Sequence, residues 1–205
     1  MNAKNPGLTF KETMAGGFDL GVVAPNDGLA NGRRNGMVLA MHAEIVIDDL
    51  EGFIEDPSHL GGLSGTVDFP PLGTGLVAET GIFNLFSPTH DPKTKFMVYE
   101  MAFQQDGQPY YLAGRKEVRD DPGFDLWPDT TTLFTTLHKG GDKRAPIAGA
   151  GILSLGVTDL IKLLSTVKVL HTDSLVEKSK AVARFGKFFL GELWDSYARF
   201  ASEKA

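Results

Sequence analysis

The stretch from Phe96 to Gly140 constrains the fold more than any other part of the chain. Met97, Tyr99, Met101 and Phe103 place an apolar side chain at every second position, while the intervening Phe96, Val98, Glu100 and Ala102 are mixed. That period of two, with one uniformly apolar side, predicts a strand whose apolar face is buried. Asp106-Gly107 follows at once and supplies the positive backbone angles that a tight hairpin requires. Tyr110 to Val118 is then the returning strand, with Tyr110, Leu112 and Val118 on one face and Tyr111, Arg115, Glu117 and Arg119 on the other. Asp120-Asp121-Pro122-Gly123 predicts a turn, because proline fixes one position and glycine tolerates the next. The Thr-rich run Thr130 to Leu137 predicts a third strand, with Leu133 and Leu137 opposed to Phe134.

Similar alternation recurs along the chain. Leu8, Phe10, Glu12 and Met14 oppose Thr9, Lys11 and Thr13, which predicts a short first strand. Residues 15–36 carry Gly16-Gly17, Pro25-Asn26-Asp27-Gly28 and Asn31-Gly32, the chemistry of a long loop that could cover a pocket. Met41, Ala43, Ile45 and Ile47 alternate with His42, Glu44, Val46 and Asp48 in a half-exposed strand, and Asp48-Asp49-Leu50-Glu51 opens a helical turn that Pro57 ends. Strands follow through Leu63, Val67 and Phe69 up to Pro70-Pro71, and from Val77 to Phe86. A last strand runs from Ile147 to Val157. Thr158 or Asp159 can cap a helix with Leu160, Ile161, Leu163 and Leu164 as its stripe. Ser174-Leu175-Val176-Glu177 fits a capping box. The helix it opens reaches about Ala201, with Val182, Phe185, Phe189, Leu193, Tyr197 and Phe200 recurring every three or four residues.

Eight strand candidates in sequence, joined mostly by turns, predict a mainly β protein built as an antiparallel meander. The expected architecture is a small, lipocalin-like barrel of about eight strands with one or two C-terminal helices; a two-sheet sandwich is the alternative. At 205 residues the chain suits a single domain, with the barrel over residues 8–157 and helices over 158–203. A net charge of -6 argues against a nucleic-acid partner, which Lys and Arg would have to neutralise. The chain has no cysteine, which excludes disulfides, thiolate catalysis and Cys-ligated metal. Without an apolar signal core or a run of 18 apolar residues, a cytoplasmic protein is expected.

Few motifs point to chemistry. His42, His59, His90, His138 and His171 fall in five separate segments without a metal-binding spacing, so no metal is expected. Gly62-Leu63-Ser64-Gly65-Thr66 lacks the last glycine of a nucleophile elbow. Gly73-Thr74-Gly75-Leu76-Val77-Ala78 is followed by a strand, not by the helix that would receive a pyrophosphate. Asp120, Asp121, Asp125 and Asp129 surround Trp127, but their spacing matches no known cation loop. Lys116 differs from these. If it faces the interior beside Tyr110 and Leu112, it needs a buried partner, either Glu100 or one of those aspartates.

Several landmarks together resemble the domain that accompanies certain large bacterial GMC-type flavoprotein oxidoreductases of the cholesterol-oxidase-like kind. They are Phe10-Lys11-Glu12-Thr13-Met14, Gly81 to Phe86, Tyr99, Gly114-Arg115-Lys116, Asp120 to Thr132, Gly151-Ile152-Leu153 and Phe185 to Phe189. The resemblance implies an accessory module acting near lipid or sterol-like substrates, with an oxidoreductase as partner. It implies no flavin or other cofactor in this chain and supplies no catalytic residue.

The expected function is therefore non-catalytic binding of an apolar ligand, lipid or sterol-like, or assistance to an oxidoreductase. Tyr99, Glu100, Tyr110, Leu112, Lys116 and Trp127 are the expected ligand contacts. Two alternatives stand beside it. One is a barrel isomerase or cyclase using an interior carboxylate or histidine, with Glu100, His42 or His138 near Lys116 or Arg115. The other is an interaction module whose terminal helix docks on a protein, or lies on a membrane surface through Lys180, Arg184 and Lys187.

Overall fold

In a computed structural model the chain forms a closed antiparallel β-barrel of eight strands, with a ninth short strand and a long C-terminal helix. Residues 4–91, 93–119, 131–156 and 165–202 are described, those from 193 to 202 by their backbone. The strands are β1 (Gly7–Leu20), β2 (Val38–Ile47), β3 (Leu60–Phe69), β4 (Gly73–Pro88), β5 (Thr94–Gln105), β6 (Gln108–Arg119), β7 (Thr132–His138), β8 (Ile147–Ser154) and β9 (Lys168–Leu170). Helix α1 spans Pro25–Asn35, α2 spans Leu50–Glu55 and α3 spans Leu175–Ser202.

From β2 to β8 each strand pairs with the next, and the two ends of that sheet meet on β1. On one edge β1 pairs with β2 from Leu8↔Ile47 to Gly17↔Val38; on the other it pairs with β8 from Ala15↔Ser154 to Leu20↔Gly149. A sandwich is thereby excluded. Nearer its start, where β8 has left it, β1 is covered by β9 at Gly7, Leu8 and Thr9 and by Thr166, whose hydroxyl accepts from the Lys11 amide at 2.8 Å. The alternation read from sequence sets which face is inside. Met97, Met101, Phe103, Leu112, Leu133 and Leu137 are all buried on the inward parity. The β5–β6 turn forms at Asp106 (φ 49°) and Gly107 (φ 78°), the left-handed pair that a two-residue hairpin needs.

The expected loop over residues 15–36 is not one. β1 continues to Leu20, and Pro25 opens α1 from its first turn, with Asp27 near the helix start, Arg33 and Arg34 in the last turn and Gly36 as a left-handed C-cap. The glycines that read as loop chemistry are the contact face of this helix. A Cβ on Gly28 would lie 1.8 Å from the Ala150 carbonyl oxygen, and one on Gly32 would lie 2.2 Å from the Phe18 amide nitrogen. Gly17 and Ala150 alternate with inward Phe18 and Gly151, so α1 lies on the outer face of the β1–β8 seam.

The other two helices cover an aromatic cluster on the barrel. Asp49 caps α2 by accepting from the Gly52 amide at 3.1 Å. Ser174 caps α3, accepting from the Glu177 amide at 3.4 Å. The buried side of α3 is turned slightly from the expected stripe: Ala181 and Phe188 are buried and Phe185 and Phe189 pack on the core, whereas Val182 is 47% exposed. Phe188 meets Phe53 of α2 edge-on at 6.0 Å and His59 at 4.9 Å, and Phe185 reaches Phe10 on β1 at 6.1 Å. Among the described residues two ion pairs tie α3 to the rest of the chain, Arg184 to Glu51 at 3.1 Å and Lys95 to Glu192. The helix expected after Thr158 lies outside the described residues, as does the Asp120–Gly123 turn.

Because close approach decides the sign, glycine-to-alanine changes in the helices are expected to diverge. Gly28→Ala should lose about 1–3 kcal/mol through overpacking although alanine favours helix by ~1 kcal/mol, whereas Gly186→Ala, with no atom near its Cβ, should gain up to about 1 kcal/mol. Urea unfolding of the two variants against the parent measures both.

Candidate functional site: a buried polar cluster

Three polar side chains come together inside the mostly apolar barrel: Glu12 of β1, Tyr99 of β5 and Lys116 of β6, with 5%, 4% and 2% of their surfaces exposed. Each occupies the inward parity of its strand. Glu12 falls between Phe10 and Met14, Tyr99 between Met97 and Met101, and Lys116 two residues before Val118. The residues paired to them across the ladders include small ones, Ala43 opposite Glu12, Gly65 opposite Ala43 and Gly114 opposite Tyr99. A Cβ on Gly114 would lie 2.7 Å from the Leu133 side chain, and one on Gly65 would lie 1.9 Å from the His42 carbonyl oxygen.

Tyr99 joins the other two. Its phenol is close enough to the Glu12 carboxylate for the two to interact electrostatically. The Lys116 ammonium lies 4.8 Å from the centre of the Tyr99 ring and 3.5 Å from the hydroxyl oxygen, a face-on cation contact with one long hydrogen bond. Phe83 packs edge-on against the same ring at 5.2 Å, and Phe10 packs on Phe83 at 6.3 Å. Polar capacity is left over. Among the described residues Glu12 Oε1 is buried with no hydrogen-bond partner, and an ammonium with three donors makes that single long contact.

The environment shifts two of these groups. Burial, and after it the neighbouring Glu12 carboxylate, raise the Tyr99 phenol well above its ordinary value, so it keeps its proton at neutral pH. Burial lowers Lys116 below the ordinary lysine value, opposed by the attraction of Glu12. The cluster is thus a carboxylate, a phenol and an amine that gives up its proton more readily than an exposed lysine.

Of the residues singled out from sequence, Tyr99, Tyr110, Leu112 and Lys116 are on the inner face, with Tyr110 stacked on Phe103 at 5.8 Å. Glu100 is not the partner of Lys116. It has the opposite parity, accepts from the Tyr111 hydroxyl at 2.5 Å and pairs with Lys143 at 3.1 Å; burial, and after it the hydrogen bond to Glu100 and the Glu100 charge, push the Tyr111 phenol up. Trp127 and the aspartates around it lie outside the described residues. Nor do the histidines converge on Lys116. His42 bridges Thr13 and Asp68 on the outer face, while His138 is held by Ala145 and Thr136. Among the described residues, no three of His, Asp and Glu gather as a metal site. Glu12 is the member that sequence reasoning missed, although a carboxylate alone in the series Leu8, Phe10, Met14 was the signal.

These features define a closed antiparallel barrel with a buried acid–phenol–amine cluster. Comparisons with protein-family models, curated proteins and solved structures return no match for the chain. Among the described residues no helix is long and apolar enough to cross a membrane.

The cluster has a testable energetic signature. Glu12→Gln or Lys116→Met alone strands the other charge and should cost about 3–5 kcal/mol, whereas the double variant should be neutral or about 1–4 kcal/mol more stable than the parent. With its value lowered in the folded state, Lys116 binds fewer protons folded than unfolded between that lowered value and 10.5. The parent's stability should therefore rise with pH across that window relative to Lys116→Met, as read by urea midpoints from neutral pH upward.

Proposed function

We propose that the barrel binds an apolar small molecule, lipid or sterol-like, that carries one polar end, and that Glu12, Tyr99 and Lys116 receive that end. The observation that carries this reading is the buried, unpartnered Glu12 Oε1 beside an under-coordinated ammonium. Leaving polar capacity unmet in an apolar interior costs stability, and a ligand hydroxyl or carbonyl would meet it. A hydroxyl donates to Glu12 Oε1, while a carbonyl accepts from Lys116 or Tyr99; both leave the rest of the ligand among apolar side chains. Apolar binding is also what the likeness to the flavoprotein-associated domain implies, with a cytoplasmic oxidoreductase as the partner that would supply or consume the ligand.

Native mass spectrometry of freshly purified protein, with lipid extraction and a denatured control, tests the reading. The expected result is a co-purified apolar molecule that is lost on denaturation, and a thermal upshift on adding a long-chain alcohol or a sterol. A bare protein mass, together with no shift from alcohols, fatty acids or sterols, would overturn it.

A further inference from the structure

Among the described lysines only Lys116 is buried. We infer that Lys116 is a carbonyl-capturing nucleophile, whose Nζ forms a reversible imine with an aldehyde or ketone at the polar end of an apolar ligand while Glu12 moves the protons. This rests on the ligand-binding reading above and adds a covalent step to it.

The geometry supplies each participant. Among the described residues Lys116 Nζ has a single hydrogen-bond contact, at 3.5 Å, so when the amine is neutral its lone pair is not committed to a strong donor. Burial lowers the cost of that neutral form, the usual way in which a lysine is activated toward carbonyl carbon. Tyr99 stays protonated and can donate to the carbonyl oxygen. Glu12 keeps one oxygen, Oε1, free of protein donors, which is the acceptor and donor that the proton transfers require.

The step balances without an oxidant or reductant. The Nζ lone pair adds to the carbonyl carbon, the C–N bond forms and the C=O π pair moves to oxygen, which takes the first of the two nitrogen protons by way of the Glu12 carboxylate. The second follows the same route: nitrogen gives it to the Glu12 carboxylate, which returns it to the departing hydroxyl. Water leaves as the C=N bond forms. One aldehyde and one amine thus become one imine and one water, and an apolar interior that excludes bulk water favours the condensed form.

The test uses the full chain, decanal with cyanoborohydride, and peptide mapping by mass spectrometry, with native mass spectrometry of the parent in decanol as a parallel arm. The expected result is one decyl group on Lys116, formed ahead of the exposed Lys4, Lys143 and Lys180. Lys116→Met, checked for folding by circular dichroism, should lose that product. Glu12→Gln, which retains the amine, should slow capture by about 100-fold. Decanol retained but decyl groups only on surface lysines would overturn the imine and leave the binding reading intact. Neither decanol retained nor Lys116 modified would overturn both. Capture by Glu12→Gln at the parent's rate would remove Glu12 from the step. Should Lys116→Met not fold, the site mapped in the parent and the Glu12→Gln rate still decide the outcome.

Discussion

Closure of the barrel on β1 is the constraint on which the other features depend. From β2 through β8 each strand meets its sequence neighbour, and those local pairings alone would leave an open sheet with two edges. Only β1 ties the ends together, through pairs such as Ala15↔Ser154 that span most of the chain. The same strand delivers Glu12, which lies between the stretch paired to β8 and the stretch paired to β9. The carboxylate therefore reaches Tyr99 and Lys116, on β5 and β6 across the barrel, only when the wall has closed. A long-range closure is slow to form, since its loop entropy is lost before its contacts are gained. Burial of the charges is then coupled to the least local step of folding.

Tyr99 makes that burial tolerable. Its hydroxyl end lies 3.5 Å from the ammonium and its phenol interacts with the Glu12 carboxylate, so one side chain partly compensates both charges without a contact ion pair between them. The compensation is partial, because Glu12 Oε1 and most of the Lys116 donor capacity go unmet. By contrast Thr135, the buried polar residue on the same inner face of β7, satisfies itself through the Leu133 carbonyl at 3.1 Å. An interior polar group can thus be neutral to stability here, and the Glu12–Lys116 arrangement is not.

The strands were legible because their information is local. Period-two alternation specifies a strand and its buried face, and Asp106-Gly107 specifies its hairpin, with no knowledge of the rest of the chain. The inward side of Lys116 followed from its parity with Tyr110 and Leu112. Its partner did not follow, because proximity in sequence favoured Glu100 while proximity across a closed barrel favoured Glu12. Helix α1 was missed for a related reason. Gly28 and Gly32 lower intrinsic helix propensity, and what offsets that loss is close packing on Phe18 and Ala150, a tertiary contact absent from the local pattern. Strand β9 is three residues long and carries no period that a sequence window could detect.

That distinction bears on how the cluster is interpreted. Glu12 and Lys116 each interrupt an apolar inward series, and apolar side chains of similar size would complete both series while removing the desolvation cost of two charges. The fold does not require them for register, since Phe10, Met14, Leu112 and Val118 already fix the inward parity of β1 and β6. Nor do their side chains close the barrel, because β1 pairs with β2 through backbone groups all along Leu8 to Gly17 and with β8 only from Ala15 onward, beyond Glu12. What they add is polarity at one point of an apolar enclosure, with a free acceptor and a poorly solvated amine directed there. Recognition of a ligand's polar end uses that property, and imine formation uses the amine's reluctance to hold its proton as well.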